Sequence, residues 1–385
     1  MRVLHIVRKR SQLNASFIIN QINFHLQFEP VVINGFSTKL SDDFGLFQNN
    51  AVEINSLNFE NYFALKYYML FELKKGIKKR FNVLINRIMP DVIHLHYGSD
   101  AAIFLPYLKK FKIPTIVSFY GYDCSGFPHY FFNLGKFLLK KKVFNNASFV
   151  TAMSEDMKHD LLKIGCERKK ILVHYHGINT IPFVFDRLYE NKSKIKLLII
   201  SGFTPQKGHF FLLNAFKKAL STNKNLYLTI VGGGPLEHKI QNYINDNNII
   251  NVEVKPSVTY SSNEHINYLK DADIFIHPSI TDNKLNKEGI PGSIVEAMCS
   301  GLPVISTYHA GIPSIIINNH SGILVDEHDI DALSNAIIEL SDNVSLRNKI
   351  GANAKKFAIE NLSVELKEKE LEDIYLMAIK QNQIS

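Results

Sequence analysis

Short apolar runs rich in valine, isoleucine and leucine alternate along the chain with longer stretches in which apolar residues recur every three or four positions. The runs read as strands buried on both faces and the longer stretches as helices that cover them, the pattern of parallel sheets. In the first half, strands are predicted at 3–7, 30–34, 91–96, 115–120, 148–154 and 171–176. Helices are predicted around 16–27, 62–88, 101–111, 130–144 and 156–164. In the second half, strands are predicted at 195–201, 226–231, 252–255, 274–279, 303–306 and 323–325, again with helices between. After Asp329 the pattern is helical to the end.

Residues 177–192 lack periodicity and carry turn formers, so the linker is placed there. The fold class predicted is α/β, with two doubly wound, Rossmann-like domains facing across a cleft and binding ligands at the carboxyl ends of their strands. Residues 1–180 form one domain and 193–360 the other, with 361–385 a terminal helix. A length of 385 residues fits two cores.

Composition narrows this picture. Mean hydropathy near zero and 21% charged residues argue against disorder and against a polytopic membrane protein. The uncharged stretch 297–325 is broken by glycines, prolines, histidines and asparagines, unlike a spanning helix. The segment between Arg2 and Arg8 is too short for a signal-peptide core, and Cys124, Cys166 and Cys299 show neither disulfide nor zinc spacing. These features predict a cytoplasmic protein.

Charge is asymmetric. Residues 1–185 carry 24 Lys+Arg against 13 Asp+Glu, whereas 186–385 carry 20 against 23. The excess clusters at 71–81, 107–112 and 136–144, interleaved with aromatic and aliphatic residues, a surface suited to an anionic membrane. No nucleic-acid recognition motif accompanies it.

The densest chemistry is Glu288-Gly-Ile-Pro-Gly-Ser-Ile-Val-Glu296, a glycine-containing loop running into a helix. Gly289 and Gly292 let backbone N–H groups approach a ligand, and the helix directs its positive end at the loop, favouring a diphosphate. Glu296 is spaced to take ribose hydroxyls and Glu288 those of a sugar. Ser293-x-x-Glu296 equally fits a capping box. Val231-Gly-Gly-Gly-Pro-Leu236 links a strand to a helix with Pro235 at the predicted first helical position, leaving room for a flat group or serving only as a tight turn. Ser201-Gly-Phe-Thr-Pro-Gln-Lys-Gly208 makes a similar link, and Lys207 offers a point charge to a phosphate. Asp271-Ala-Asp273 falls where a helix ends and an apolar strand begins, and His94-x-His96 and His174-x-His176 lack a third zinc ligand, so no metal site is predicted.

The Glu288-x7-Glu296 loop with Glu-Ala-Met-x-x-Gly-Leu-Pro-Val304, followed by Ala310-Gly-Ile-Pro-Ser314, resembles the retaining family-4 glycosyltransferases of GT-B fold. The Lys207-Gly208 loop, Gly232-x-Gly-Pro, His277-Pro-Ser279, His176-Gly-Ile and Ser321-Gly-Ile-Leu-Val-Asp326 follow in the same order. Ser11-x4-Ser16-Phe-Ile-Ile-Asn-Gln-Ile22 and His94-x-His-Tyr-Gly98 are most similar to enzymes of bacterial exopolysaccharide and capsule assembly.

The resemblance implies a UDP- or GDP-linked sugar donor bound mainly by the carboxy-terminal domain, no obligatory metal or other cofactor, and a saccharide or lipid-linked acceptor on the amino-terminal domain. It implies work at the inner face of the cell membrane. By position, Glu288 holds the donor sugar and Glu296 the ribose. Lys207, Gly208 and the Gly289, Ile290, Pro291, Gly292 and Ser293 backbone hold the diphosphate, and Gly233, Gly234 and Pro235 the base. Tyr120 stands where relatives carry a histidine near the reacting centre, and Ser16 and Asp123 fall on the acceptor side. The terminal helix is implied to cross back to the first domain. Gly202 replaces the arginine usual six residues before Gly208. A non-catalytic GT-B subunit that binds a nucleotide sugar or a partner transferase is the other reading these departures allow.

Overall fold

The computed structural model describes residues 1–8, 12–13, 15–34, 51–53 and 75–384. The chain forms two compact units: Met1–Gly177 with Val364–Ser385, and Ile178–Ser363.

The first unit holds a seven-stranded parallel sheet of β1 (Arg2–Val7), β2 (Glu29–Asn34), β3 (Ala51–Glu53), β4 (Val92–His96), β5 (Thr115–Ser118), β6 (Phe149–Ala152) and β7 (Ile171–Val173). Their spatial order is β3-β2-β1-β4-β5-β6-β7. The order reverses between β1 and β4, where His5 pairs in register with His94. Every strand predicted in this half is present: β1 and β2 each begin one residue earlier, the other four are one to three residues shorter, and β3 is additional. The helix predicted around 62–88 is seen from Lys75 to Ile88. Its earlier part, residues 71–74 of the 71–81 basic run and Ser11 lie outside the described residues.

The second unit holds β8 (Ile195–Ile200), β9 (Leu226–Val231), β10 (Val252–Lys255), β11 (Ile274–His277), β12 (Val304–Thr307) and β13 (Ile323–Val325). All are parallel, in the order β10-β9-β8-β11-β12-β13. Leu197, Ile199, Leu228, Ile230, Ile274, Ile276 and Ile305 point from these strands into one core with Phe211, Leu212 and Phe216 of the His209–Thr222 helix. Strands buried on both faces must be apolar throughout, which is why they were readable as runs.

Two boundaries differ from the sequence reading. The 178–192 segment is not a free linker but part of the second unit. Phe183 is fully buried against the Tyr260 and His265 rings. Arg187 donates to the Ser300 and Ala272 carbonyls at 3.1 and 2.5 Å, and the Tyr189 hydroxyl donates to Gly301 O at 3.1 Å. Isolated aromatic and guanidinium anchors leave no periodic trace. The second unit also runs on to Ser363, whose pairing with Ile178 sets the two exits side by side.

The Val364–Ile384 helix belongs to the first unit. Leu371, Ile374, Tyr375 and Ala378 pack with Val3, Phe28, Val92, Ile116 and Phe149. This apolar stripe fixes the last element of the chain onto the sheet built from its first.

Candidate functional site

The strands of the second unit deliver Lys207 and Glu288 to one point. Lys207 lies in the loop after β8, and Gly208 ends that loop at φ +68°, a conformation favouring glycine. A Cβ there would meet the Pro278 carbonyl oxygen at 2.0 Å, so the loop after β8 packs directly on the loop after β11. The Ile280 N–H donates to Gln206 O at 2.9 Å and secures the same contact.

Across this junction Lys207 Nζ lies 2.5 Å from Glu288 Oε1, and Ser279 Oγ donates to Glu288 Oε2 at 3.0 Å. His277 Nε2 stands 3.6 Å from the same oxygen. Burial alone would raise the Glu288 carboxyl, but the Lys207 ammonium and then the His277 ring overcome it and hold it well below the usual carboxylate range. His277 is itself kept neutral by burial. The pair is an ionised couple in a mostly buried setting, so an anion approaching Lys207 would share its charge with Glu288.

A second layer positions the Glu288 backbone. Its N–H donates to His309 Nε2 at 3.2 Å, and His309 Nδ1 lies 2.6 Å from Glu327 Oε1. Glu327 accepts the Thr281 N–H at 2.7 Å, so one carboxylate ties the loops after β11, β12 and β13 together.

The Gly292–Cys299 helix opens directly behind Glu288. Its N-cap is Pro291, with no side-chain cap, so its first N–H groups have no partner of the helix's own. The capping-box alternative fails here. The Ser293 hydroxyl meets His277 Nδ1 at 3.3 Å, and Glu296 Oε2 lies 3.2 Å from His265 Nε2. Ile290 is buried, and Gly289 O accepts the Gly311 N–H at 3.3 Å.

Gly233 and Gly234 follow β9 beside the same β8 loop, with Gly233 O accepting the Phe203 N–H at 2.9 Å. Pro235 is not the first helical residue: the helix runs Glu237–Asp246 and is capped by Leu236. A Cβ at Gly202 would meet only Gly233 O, at 4.0 Å.

The three remaining predicted residues are in the first unit. Ser16 opens the Ser16–Asn23 helix. Asp123 is buried, accepting the N–H groups of Gly98, Tyr120 and Gly121 at 2.8, 3.0 and 3.1 Å. Its carboxylate clamps the loop after β5 rather than facing an acceptor. Burial still pushes it up to about 6 against those N–H donors. The Tyr120 hydroxyl points inward to His96 Nδ1 at 2.7 Å, and burial raises it well above its ordinary value.

Asp271-Ala-Asp273 is structural. Asp273 accepts from Lys192 Nζ and the Lys196 N–H at 2.7 and 2.9 Å, and Asp271 stays exposed. Sequence reasoning passed over His309, Glu327 and His265, whose only signal was their position after strands or facing the glycine-rich loop.

Residues 36–181 match the family model described as glycosyltransferase family 4, and residues 181–357 match that described as glycosyl transferases group 1. The chain is 29% identical over 260 residues to the amylovoran biosynthesis glycosyltransferase AmsK of Erwinia amylovora, covering 65% of this chain and 61% of that protein. It is 29% identical over 278 residues to the putative colanic acid biosynthesis glycosyltransferase WcaL of Salmonella typhimurium, covering 70% and 66%. The matches thus span somewhat less than two thirds of these relatives' length. A glycosyltransferase from Rickettsia africae ESF-5 shares the fold with a TM-score of 0.77 at 21% identity, over 98% of both chains. Anabaena Alr3699/HepE, solved in complex with UDP and glucose, shares it with a TM-score of 0.74 at 14% identity, over 97% of this chain and 99% of that one.

Proposed function

Because the chain belongs to the family-4 glycosyltransferases of GT-B fold, we propose that it transfers a sugar from a nucleotide diphosphate to a glycan acceptor, with retention and without a metal. The observation that carries this reading is the Lys207–Glu288 couple at the mouth of the Gly292–Cys299 helix. A cation and a set of helix N-terminal amides converge where a departing diphosphate gathers charge. Glu288 offers carboxylate oxygens to donor-sugar hydroxyls, and Glu296, one helical turn on, offers its own to the ribose. As the bond between sugar and diphosphate breaks, Lys207 and the Gly292 and Ser293 amides take up the growing negative charge. The acceptor hydroxyl attacks from the same face, and its proton passes to the diphosphate oxygen that leaves.

The relatives named for amylovoran and colanic acid biosynthesis support surface-polysaccharide assembly, with a lipid-linked acceptor at the cytoplasmic face of the membrane as the setting. Among the described residues no helix is long and apolar enough to cross a membrane. In the Gly126–Leu138 helix Leu134 and Phe137 are exposed beside Lys136, and Lys141 lies over the Phe137 ring at 5.4 Å, a surface suited to anionic lipid.

The test begins with a thermal-shift screen against UDP, GDP, ADP and their common sugars, with Glu296→Ala as control. Transfer is then followed with the stabilising donor, and product configuration is read by NMR with and without chelator. Glu288→Ala and Lys207→Ala are expected to lower turnover about 10²–10³-fold, assayed at a temperature at which each variant is still folded despite the loss of one partner of the couple. Unchanged turnover in both sinks the site assignment, and an inverted product sinks retention.

Gly202 favours a second reading, a non-catalytic subunit that binds the donor without turning it over. Donor stabilisation without transfer to any acceptor supports it.

A further inference from the structure

Glu288 is held at both of its ends, by different elements. Its carboxylate is tied by Lys207 and Ser279, from the loops after β8 and β11. Its backbone is tied by residues 308–311, the loop after β12. The Glu288 N–H donates to His309 Nε2 at 3.2 Å, and one residue on, Gly289 O accepts the Gly311 N–H at 3.3 Å. One bond runs out of the donor loop and the next runs into it, so residues 288 and 289 sit in a bracket that fixes both their position and their tilt.

The bracket is anchored to the same neighbour that holds the carboxylate. At the end of β12, Ser306 Oγ donates to His277 O at 2.5 Å and Thr307 Oγ1 donates to Ser279 O at 2.6 Å. The chain then turns sharply: the Ile312 N–H donates to His309 O at 3.0 Å, with Ala310 between them at φ +46°, where a side chain is strained. Such a residue persists only where its surroundings over-determine it. Here the turn is what brings the His309 ring and the Gly311 N–H onto adjacent residues of the donor loop.

The His309 ring is fully buried and has a hydrogen-bond partner on each nitrogen. A backbone N–H only donates, so Nε2 presents its lone pair to Glu288. The ring N–H is then on Nδ1, which lies 2.6 Å from Glu327 Oε1. Burial would raise the Glu327 carboxyl, but the His309 ring and the Thr281 N–H outweigh it and hold it below its ordinary value, so Glu327 accepts. Its Oε2 takes the Thr281 N–H at 2.7 Å, and Thr281 Oγ1 donates to Oε1 at 3.3 Å. His277 turns its own nitrogens to Ser293 and Glu288 rather than to His309.

The consequence for a ligand is a division of labour. With its N–H occupied by His309, Glu288 meets a ligand through its carboxylate. The groups assigned above to the diphosphate reach their places by other routes: Lys207 on the loop after β8, and Gly292 and Ser293 at the start of their own helix. Only the sugar contact of Glu288 depends on where residue 288 sits along its loop, and that is what the His309 ring fixes.

We propose that His309, oriented by Glu327, is the positioning residue that presents the Glu288 carboxylate to the sugar of the donor, and that it does so without setting the grip on the diphosphate. The sugar role rests on the transferase reading above; the bond between His309 and Glu288 does not. Removing the ring orphans the Glu288 N–H and lets residue 288 shift, which moves its carboxylate away from the sugar hydroxyls while the diphosphate contacts stay. The loss therefore falls on the nucleotide sugar and spares the bare nucleotide.

The bond is read first, by NMR on the full chain without ligand. An N–H···N bond transmits a scalar coupling, expected here between the Glu288 amide nitrogen and His309 Nε2, with His309 as the Nδ1–H tautomer. Absence of the coupling, or a proton on Nε2, overturns the proposal. Binding is read second, by isothermal titration with UDP, UDP-glucose, UDP-galactose, GDP and GDP-mannose. His309→Leu is expected to weaken the nucleotide sugar about tenfold and its nucleoside diphosphate by less than about twofold. His309→Gln, whose Oε1 can accept the Glu288 N–H, should recover most of the loss. Should His309→Leu not fold, Glu327→Leu, which removes the anchor of the ring, is expected to give the same split. Equal weakening of both ligands, or of neither, overturns the sugar role and leaves the transferase reading standing. If the native chain binds only a diphosphate, the sugar role falls alone; if it binds none of the five, the transferase reading falls and takes the sugar role with it.

Discussion

Both units bury titratable side chains near the carboxyl ends of their parallel strands, and they neutralise the cost in opposite ways. In the second unit Glu288 stays ionised because Lys207 brings a cation to 2.5 Å, with Ser279 and His277 completing its shell. In the first unit burial keeps His5 and His96 neutral, and each of their ring nitrogens finds another ring or a hydroxyl. A charged couple attracts charged ligands and is fragile when halved, since one partner alone is a buried uncompensated charge. Neutral rings have no such charge to expose.

The largest effect follows from halving the couple. Lys207→Met should destabilise the fold by about 3 kcal/mol, because Glu288 would be left buried without its cation. Lys207→Met combined with Glu288→Gln should recover most of that loss, although neither protein is expected to transfer sugar. Urea titrations of the three proteins read this directly, and an undiminished deficit in the double variant would break the comparison. The pH dependence has a definite sign. The folded Glu288 carboxyl lies below its unfolded value, so the stability it lends is complete above about 4.3, the ordinary glutamate value, and drains away as pH falls further. The double variant should lack that part of the acid slope.

Asp123 sharpens the comparison from the other side, as a carboxylate of the first unit held by amides alone. Asp123→Ala orphans three N–H donors in a buried loop and should cost about 2 kcal/mol, measured as a lower urea midpoint at unchanged slope. A cost near zero would mean that water readily replaces the clamp and that the loop after β5 is held by packing alone.

What the chain revealed in advance divides along the same line. Strands covered on both faces are mostly apolar runs, so twelve of the thirteen described strands were visible, and β3 escaped because three residues show no period. The glycine-rich loops around Lys207 and Glu288 were visible because strand-to-helix turns that approach a ligand need glycine. Their joining into one couple was not, since it depends on Gly208 letting the backbone close on Pro278. The grouping of buried histidines in the first unit was invisible for a stronger reason. His25 and Glu372 meet only because the last helix packs on the first strands, and no local spacing encodes a contact across nearly the whole chain.

A smaller effect concerns the cation count of the second unit. Gly202→Arg adds a guanidinium where the relatives' usual arginine falls, at a position whose Cβ would meet only Gly233 O at 4.0 Å. If the couple is short of one phosphate partner, donor affinity should rise about tenfold, roughly 1.4 kcal/mol, with little change in melting temperature. Isothermal titration with the donor identified by the screen decides this, and unchanged affinity would mean that Lys207 and the helix amides already suffice.

The smallest effect separates two roles for one hydroxyl. A serine that caps a helix costs about 1 kcal/mol when truncated to alanine, because an N–H group at the helix start loses its acceptor. Ser293 is not placed to do this: it lies within the helix that Pro291 begins, and its hydroxyl faces His277 at 3.3 Å. Ser293→Ala should therefore cost less than about 0.5 kcal/mol, within the range of a weak hydrogen bond to a neutral ring. His277 would lose one partner while keeping its place beside Glu288, so donor affinity should fall only slightly. A thermal melt is sensitive enough to distinguish these values. A loss near 1 kcal/mol would return Ser293 and Glu296 to a capping role and take Glu296 away from the ribose.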